Sequence, residues 1–171
     1  MLLLQRRKLI RHPTHDYGSV GFYYVTLVIQ RRRKILSTVH DASIHLLPAG
    51  EAVLHCWNDI PNHFPGVRAD DIVIMPDHLH GIIEIVSAME SRQIIGGTSM
   101  TLGSVIRGFK SGVSQLIQPL YEDIWQRSYY DHIICNDEEL YEAKEYMRQN
   151  PIRWTQAQHR RGESHAPVHG T

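Results

Sequence analysis

The apolar residues of this chain follow two periods along the sequence, and together these periods predict a layered domain. Runs rich in β-branched and aromatic residues predict strands over residues 21–30, 35–39 with 44–46, 72–75 and 78–86. Apolar residues recur at helical spacing over residues 51–60, 101–117 and about 137–150. The order β, β, α, β, β, α, α indicates an α+β fold, an antiparallel sheet of ferredoxin-like type with helices packed on it.

Prolines and polar stretches predict the boundaries of these elements. Pro61 is expected to end the first helix, with a loop over residues 62–69, and Pro151 is expected to end the last helix. Residues 87–98 are polar and contain two glycines, so we expect a flexible connection there. The predicted organisation is one catalytic domain over residues 1–154 and a polar C-terminal tail over residues 155–171, which we expect to be disordered or loosely packed.

Composition narrows the class of protein. A chain of 171 residues is long enough for one domain with its own core. A membrane helix needs a run of about 18 apolar residues. No apolar run in this sequence approaches that length, so we expect no membrane partner. Cys56 and Cys135 are single and far apart, which argues against a disulfide framework or a thiolate metal site. The simplest expectation is a cytoplasmic protein.

The formal net charge is zero, but basic residues are concentrated near the amino terminus. Residues 1–40 contain eight Arg and Lys residues and one acid, Asp16. This distribution predicts local contact with nucleic-acid phosphates, although a solvated arm and a charged turn would give the same pattern. The candidate DNA-binding residues are Arg31, Arg32, Arg33 and Lys34 in a predicted turn, Arg107 and Lys110 on the polar side of a helix, and the arm Arg6, Arg7 and Lys8.

The stretch from Ile72 to Val86 contains the first candidate chemistry. It has two strand-like runs joined at Pro76-Asp77, and the second run opens with His78-Leu79-His80. Side chains alternate along a strand, so both imidazoles should project from one face while Leu79 enters the core on the other. Two neighbouring imidazoles form half of a divalent metal site. Two half-exposed histidines without a metal remain the alternative.

The last predicted helix offers a phenol and an amide on one face. Tyr146 and Asn150 are four residues apart, one turn from each other. Next to a metal, a phenolate can attack a phosphodiester in line while the metal stabilises the developing charge. Two imidazoles and one amide oxygen suit Mg²⁺ or Mn²⁺, and the histidines alone would suit Zn²⁺. Alternatively, Tyr146 only packs on the sheet and Asn150 only caps the helix.

Two blocks of sequence resemble a known family of enzymes. Met75-Pro76-Asp77-His78-Leu79-His80 resembles the His-hydrophobe-His motif of the HUH single-tyrosine transposases. The segment from Trp125 through Tyr130-Asp131-His132 to Glu145-Tyr146-Met147-Arg148-Gln149-Asn150-Pro151 resembles the REP-associated tyrosine transposases of that class. The resemblance implies a ferredoxin-like fold, a divalent metal, and cleavage of single-stranded DNA near a hairpin through a 5′-phosphotyrosine. It also implies a bacterial or archaeal, nucleoid-associated protein.

The resemblance assigns roles to individual residues. His78 and His80 are the metal ligands, Tyr146 is the nucleophile, and Asn150 matches the position of a third ligand. His132 matches a recurrent histidine whose role is either supporting or purely structural. Rival nucleophiles are Tyr129, Tyr130 and Tyr141. Tyr141 lies five residues from Tyr146, about 500° of helical rotation, so both should not serve one metal.

Other functions remain open at this point. A hydrolytic metallophosphoesterase would use His78 and His80 with Tyr146 only packing. A domesticated, non-catalytic protein would bind DNA hairpins without forming a covalent adduct. An H-x-H cupin barrel fits poorly, because an all-β fold conflicts with the predicted helices. Related transposases are either monomers or homodimers that exchange the tyrosine helix, and the sequence does not choose between these arrangements.

Overall fold

A four-stranded antiparallel sheet forms the centre of the molecule, in the spatial order β4-β5-β1-β6. The computed structural model describes residues 19–86, 101–118 and 120–163. In chain order the elements are β1 (Gly21–Val28), β2 (Ser37–His40), β3 (Ser43–Leu46), α1 (Pro48–Asn58), α2 (Ile60–His63), β4 (Val67–Ile74), β5 (His78–Ile85), α3 (Leu102–Ile117), β6 (Tyr130–Ile134) and α4 (Asp137–Glu163). The predicted amino-terminal arm with Arg6, Arg7 and Lys8, and the predicted connection over residues 87–98, lie outside the described residues.

Helices cover both faces of this sheet. On one face, Tyr23, Val25 and Leu27 of β1 enter the main core, to which α1 and α3 contribute Trp57 and Phe109. The opposite face carries a smaller cluster that contains Tyr24 and Ile82 of the sheet and Ala143 and Met147 of α4. The alternation of β1 between the two clusters follows the two-residue period of a strand. The predicted α+β fold, an antiparallel sheet with helices packed on it, is confirmed.

β4 begins earlier than predicted, and β2 and β3 lie outside the main sheet. β4 starts at Val67, whereas residues 62–69 were expected to form a loop. A register shift between Ala69 and Ile72 interrupts the pairing of β4 with β5 at two aspartates. This bulge breaks the two-residue alternation of apolar and polar residues from which the strand would have been predicted. β2 and β3 pair only with each other and form a separate two-stranded ribbon.

The last helix continues well past its predicted end. α4 runs from Asp137 to Glu163 and contains Pro151 in its interior. Its start agrees with the prediction, because the Asn136 side chain accepts a hydrogen bond of 2.8 Å from the Glu139 amide. Pro151 is buried, and its carbonyl accepts a hydrogen bond of 3.1 Å from the Thr155 hydroxyl. The expected end of the helix at Pro151 is therefore wrong, and residues 155–163 of the predicted tail are helical. Residues 164–171 lie outside the described part.

The first helix also has a less abrupt end than expected. α1 ends at Asn58, and the chain then forms the single turn α2. Pro61 lies in the first positions of this turn, where proline is well tolerated.

None of the helices in the described residues is both long and apolar enough to span a bilayer. The division into a domain over residues 1–154 and a tail stays a prediction.

Gly81 occupies a close contact between β5 and α1. A Cβ atom at this position would lie 2.4 Å from an edge carbon of the Trp57 indole. The indole is itself held by a hydrogen bond of 3.0 Å from its Nε1 to the Asp70 carbonyl. Glycine therefore allows the tryptophan to lie directly on the strand that carries the two histidines.

We expect Gly81→Ala to lower the free energy of unfolding by about 1–3 kcal/mol, because the strand and the indole would have to move apart. Urea denaturation measures the change. Gly112→Ala in α3 is the matched control: its Cβ would lie 3.5 Å from Cys56 Sγ, an ordinary contact. Alanine is also the better helix former by roughly 1 kcal/mol, so this variant should keep or gain stability. A Gly81→Ala protein as stable as the wild type would contradict the described packing.

Candidate active site

The two histidines of β5 lie side by side on the sheet face that α4 covers. Their ring centroids are 4.8 Å apart, with the ring planes at 77°. Leu79 between them is fully buried in the main core on the opposite face, as the alternation predicts. The sheet backbone therefore holds the two imidazoles together before any ligand binds.

His80 is buried and oriented by a neighbouring strand. The register pairs His80 with Thr26 of β1, and the Thr26 hydroxyl is 2.8 Å from His80 Nδ1. Nε2 is therefore the nitrogen that remains for a ligand. Burial lowers the pKa of His80 well below its usual value, and the nearby charges of His78 and Arg32 lower it further. The ring is thus held neutral, the form in which imidazole binds a metal.

A carboxylate orients His78. The Nδ1 of His78 is 2.6 Å from Oδ1 of Asp77, which is buried, and the Arg32 guanidinium is 3.5 Å from the other carboxylate oxygen. Burial would raise the pKa of Asp77, but its hydrogen bond to His78 and the charges of His78 and Arg32 outweigh that effect and lower it. Metal-binding histidines commonly have such a carboxylate partner. This role of Asp77 was not predicted, although its position directly before the motif was a signal.

α4 places the candidate nucleophile against the same histidines. The Tyr146 ring is 5.6 Å from the His80 ring and 6.4 Å from the Tyr24 ring, centroid to centroid. The helix is tied to β4 by the Lys144 ammonium, which is 2.8 Å from an Asp70 carboxylate oxygen. Because these contacts lie within one chain, the tyrosine helix reaches its own histidines.

Asn150 is buried one turn after Tyr146. Its side-chain nitrogen donates a hydrogen bond of 3.3 Å to the Tyr146 carbonyl, which leaves its oxygen Oδ1 without a partner among the described residues. Within the described residues, no group of three His, Cys, Asp or Glu side chains is placed to hold a metal ion. A metal site here would therefore need the amide as a ligand, and both the metal and its third ligand stay predictions.

Two aromatic side chains beside the histidines were not predicted to belong to the site. Tyr24 stacks on His80 at 5.5 Å and 21°, and Trp154 lies 6.0 Å from His78, measured between ring centroids. The Tyr24 hydroxyl and the Trp154 Nε1 are buried without a hydrogen-bond partner among the described residues. Unpaired buried polar atoms are rare and often mark where a water, ion or ligand binds.

The other tyrosines and His132 lie in different surroundings. Tyr141 is 65% exposed, on the part of α4 turned away from the sheet. Tyr129 and Tyr130 pack against the main core and the smaller cluster, respectively. His132 Nε2 is 3.5 Å from Glu139 Oε2, which also accepts a hydrogen bond of 2.9 Å from the Cys135 amide. These contacts connect β6 to the start of α4, and a supporting role of His132 stays a prediction.

The structure separates the predicted DNA-binding residues into two groups. Arg32 and Lys34 adjoin the histidines: Arg32 is next to Asp77, and the Lys34 ammonium lies 5.7 Å from the Trp154 ring centroid. Arg31 and Arg107 are exposed, and Arg33 donates hydrogen bonds of 3.3 and 3.2 Å to the carbonyls of Glu122 and Asp123. Arg31 and Arg32 both have positive φ angles, 57° and 53°. DNA contact by these residues stays a prediction.

Lys110 is engaged inside the protein. Its ammonium donates a hydrogen bond of 2.8 Å to the Gln126 carbonyl. It also lies 5.9 Å from the ring centroids of both Trp125 and Tyr129. This geometry joins α3 to the segment before β6, so the side chain is not displayed on the polar side of the helix as the sequence suggested. Burial lowers the pKa of Lys110 to about 8.

Comparisons with known proteins give two relatives and a shared fold. No known family profile matches the chain. An uncharacterized protein of Haemophilus influenzae is 37% identical over 168 residues, 91% of this chain and 93% of that protein. A protein of the same organism, named as a REP-associated tyrosine transposase, is 22% identical over 143 residues, 81% of this chain and 74% of that protein.

A solved structure has the same fold. The structure of a REP-associated tyrosine transposase bound to a REP hairpin matches with a TM-score of 0.61 and 18% identity, covering 84% of this chain and 74% of that chain. At this level of identity the match establishes the fold. Together with the named relative, it confirms the predicted resemblance to the REP-associated tyrosine transposases.

The depressed pKa of Lys110 predicts a pH-dependent stability. The folded chain releases this proton near pH 8 and the unfolded chain near 10.5, so the unfolded state binds more protons in between. We therefore expect the free energy of unfolding of the wild type, relative to Lys110→Met, to rise from pH 8 to about 10.5. Urea denaturation at several pH values measures the difference.

Lys144→Met is the matched control for this prediction. The hydrogen bond and charge of Asp70 raise the pKa of Lys144, so its stabilising contribution is complete below its unfolded pKa and is lost only above that value. The stability difference between wild type and Lys144→Met should therefore not rise between pH 8 and 10.5. A pH-independent difference for Lys110→Met would contradict the described burial of its ammonium.

Proposed function

This chain belongs to one family with the 37% identical protein of Haemophilus influenzae, and we propose that it is a DNA transposase of the HUH single-tyrosine class. The observation that carries the proposal is the position of Tyr146, whose ring is 5.6 Å from the His80 ring within one chain. The fold shared with a REP-associated tyrosine transposase supports it. Fold alone does not determine function, so the proposal depends on the site.

Tyr146 would act as a nucleophile on a DNA phosphodiester. Its phenolic oxygen forms a bond to phosphorus while the bond from phosphorus to the 3′-oxygen breaks, which gives a 5′-phosphotyrosine and a free 3′-hydroxyl. The covalent intermediate conserves the bond energy of the cut strand. A 3′-hydroxyl can therefore reverse the reaction and join strands without ATP.

The donor atoms of the site fit a hard or borderline divalent cation, for which we propose Mg²⁺ or Mn²⁺. His78 and His80 would bind through Nε2, because Asp77 and Thr26 occupy their Nδ1 atoms, and Asn150 would bind through Oδ1. When bound, such a cation stabilises negative charge on the phosphate. Burial keeps His80 neutral and so keeps it ready to serve as a ligand.

We propose single-stranded DNA next to a hairpin as the substrate. The structurally similar transposase was solved bound to a REP hairpin, which suggests the same class of DNA for this chain. Arg32 and Lys34, which adjoin the histidines, and the exposed Arg31 and Arg107 could contact the DNA backbone. The position of Tyr146 beside His80 within one chain is compatible with a monomer, and a homodimer stays a prediction.

Tyr146→Phe should abolish a covalent protein–DNA adduct without unfolding the protein. The substitution removes the nucleophilic oxygen and keeps the ring that packs on His80 and Tyr24. The measurement is a denaturing gel with labelled single-stranded hairpin oligonucleotides and Mn²⁺. Tyr141→Phe is the matched control, because Tyr141 is on the same helix but 65% exposed; it should form the adduct at the wild-type level.

The same gel separates the competing functions. Cleavage without an adduct, unchanged in Tyr146→Phe, would replace the proposal with a hydrolytic phosphodiesterase. Hairpin binding that survives chelation, with neither cleavage nor adduct in the wild type, would instead indicate a non-catalytic DNA-binding protein. An adduct that survives in Tyr146→Phe and is lost in Tyr141→Phe would show that Tyr141, and not Tyr146, is the nucleophile.

Asp77→Asn should weaken Mn²⁺ binding by about 10–100-fold, the usual effect of removing a partner that orients a ligand. The amide keeps the shape of the side chain but removes the negative charge that fixes His78. Calorimetric titration of Mn²⁺ into the protein without DNA measures the affinity. Asp71→Asn is the control: Asp71 pairs with Lys144 at 3.6 Å and makes no described contact with the histidines. Equal affinities for wild type and Asp77→Asn would contradict this orienting role.

A further inference from the structure

We propose that Arg153 binds the scissile phosphate beside Tyr146, an inference that rests on the proposed strand-transfer function. The Cζ atom of Arg153 lies 4.9 Å from the centroid of the Tyr146 ring. Seven residues on a helix correspond to about 700°, nearly two full turns, so both side chains share a face of α4. The guanidinium therefore lies next to the oxygen-bearing ring that would attack the phosphate.

A second contact holds this guanidinium in place. Its Nη2 donates a hydrogen bond of 2.9 Å to Oε1 of Gln149, which is on the same helix. The arginine thus has a neutral hydrogen-bond partner on one side and an aromatic ring on the other. Neither contact neutralises its charge, and only part of its set of donors is used.

Among the described residues, Arg153 lacks the acidic partner that three nearby basic residues have. Elsewhere on α4, Lys144 pairs with Asp70 and Arg148 pairs with Glu145 at 2.6 Å, while Arg32 near the site pairs with Asp77. No carboxylate forms an ion pair with Arg153 within the described part of the chain. A fixed, uncompensated cation next to the nucleophile is suited to an anion that arrives with the substrate.

A DNA phosphodiester is the anion that the proposed reaction brings to this place. Guanidinium groups bind phosphate oxygens through paired N–H donors, and the charge on these oxygens is part of what the transition state must stabilise. Trp154, the next residue, is near His78 and has a buried Nε1 without a partner in the described residues. Its N–H is a second donor on the same part of the helix.

The reaction step keeps Arg153 protonated throughout. The bond between the Tyr146 oxygen and phosphorus forms as the bond to the 3′-oxygen breaks. The phenolic proton leaves to water, and the 3′-oxygen takes a proton from water. Arg153 exchanges no proton; it contributes charge and hydrogen bonds to the non-bridging oxygens.

The test compares Arg153→Gln, Arg153→Lys and the control Arg148→Gln, which removes an exposed arginine that already has an acidic partner. In the adduct assay with hairpin DNA and Mn²⁺, we expect Arg153→Gln to form the adduct about 100-fold more slowly. Arg153→Lys should recover part of the rate, because it retains the charge, and Arg148→Gln should match the wild type. Circular dichroism melting identifies any variant that does not fold.

A binding measurement keeps the inference separate from the proposed function. In a Tyr146→Phe background, which cannot cleave, hairpin affinity is measured as a function of salt concentration. Losing one phosphate contact should reduce the slope of log affinity against log salt by about 0.7–0.9. If the wild type forms no adduct, the proposed function fails, and this slope alone decides the phosphate contact. An unchanged slope for Arg153→Gln, or an equal loss for Arg148→Gln, would overturn the inference.

Discussion

Strand β5 is buried on both faces, and its two faces carry different side chains. This difference determines where the candidate site lies. One face, with Leu79 and Gly81, belongs to the main core, and the other carries His78, His80 and Ile82. Hydrogen-bonded neighbours on both edges fix its register. A slip of one residue would move both imidazoles into the main core and Leu79 onto the face that carries the site. The core therefore determines where the histidines lie.

The bulge in β4 connects this strand arrangement to the helices on both faces. The backbone carbonyl of Asp70 accepts a hydrogen bond from the Trp57 indole of α1 on one face. Its carboxylate binds Lys144 of α4 on the other face. A single bulged residue thus helps to position the tryptophan under Gly81 and the helix that carries Tyr146. The distance between Tyr146 and the histidines consequently depends on the whole sheet and not on one loop.

Much of this arrangement follows from local sequence patterns. The histidine motif lies on a strand because β-branched residues and the two-residue period agree there, and α3 follows its helical period despite three glycines. The end of α4 was mispredicted because local rules assign Pro151 a cost of about 3 kcal/mol inside a helix, whereas the proline is buried and the helix passes through it. Packing outweighs the local preference at this position.

Because α4 was predicted to end at Pro151, two residues of the site were not predicted. Arg153 and Trp154 reach Tyr146 and His78 only because the helix continues beyond Pro151. The partner of His80 could not be predicted for another reason. Thr26 is 54 residues from His80 in sequence and meets it only through the pairing of β1 with β5. Such partners depend on strand register, which a single sequence does not specify.

The site has a buried side and a charged side, and these sides suit different parts of the proposed chemistry. Tyr24, His80 and Asn150 are buried, where low polarity keeps imidazole neutral and fixes the orientation of each ring. Arg32 and Lys34 are exposed, and Arg153 is partly exposed, so positive charge is concentrated where a polyanion would approach. Tyr146 lies between these sides, so the proposed reaction would combine fixed orientation with compensation of the phosphate charge, the two effects that lower the barrier to phosphoryl transfer.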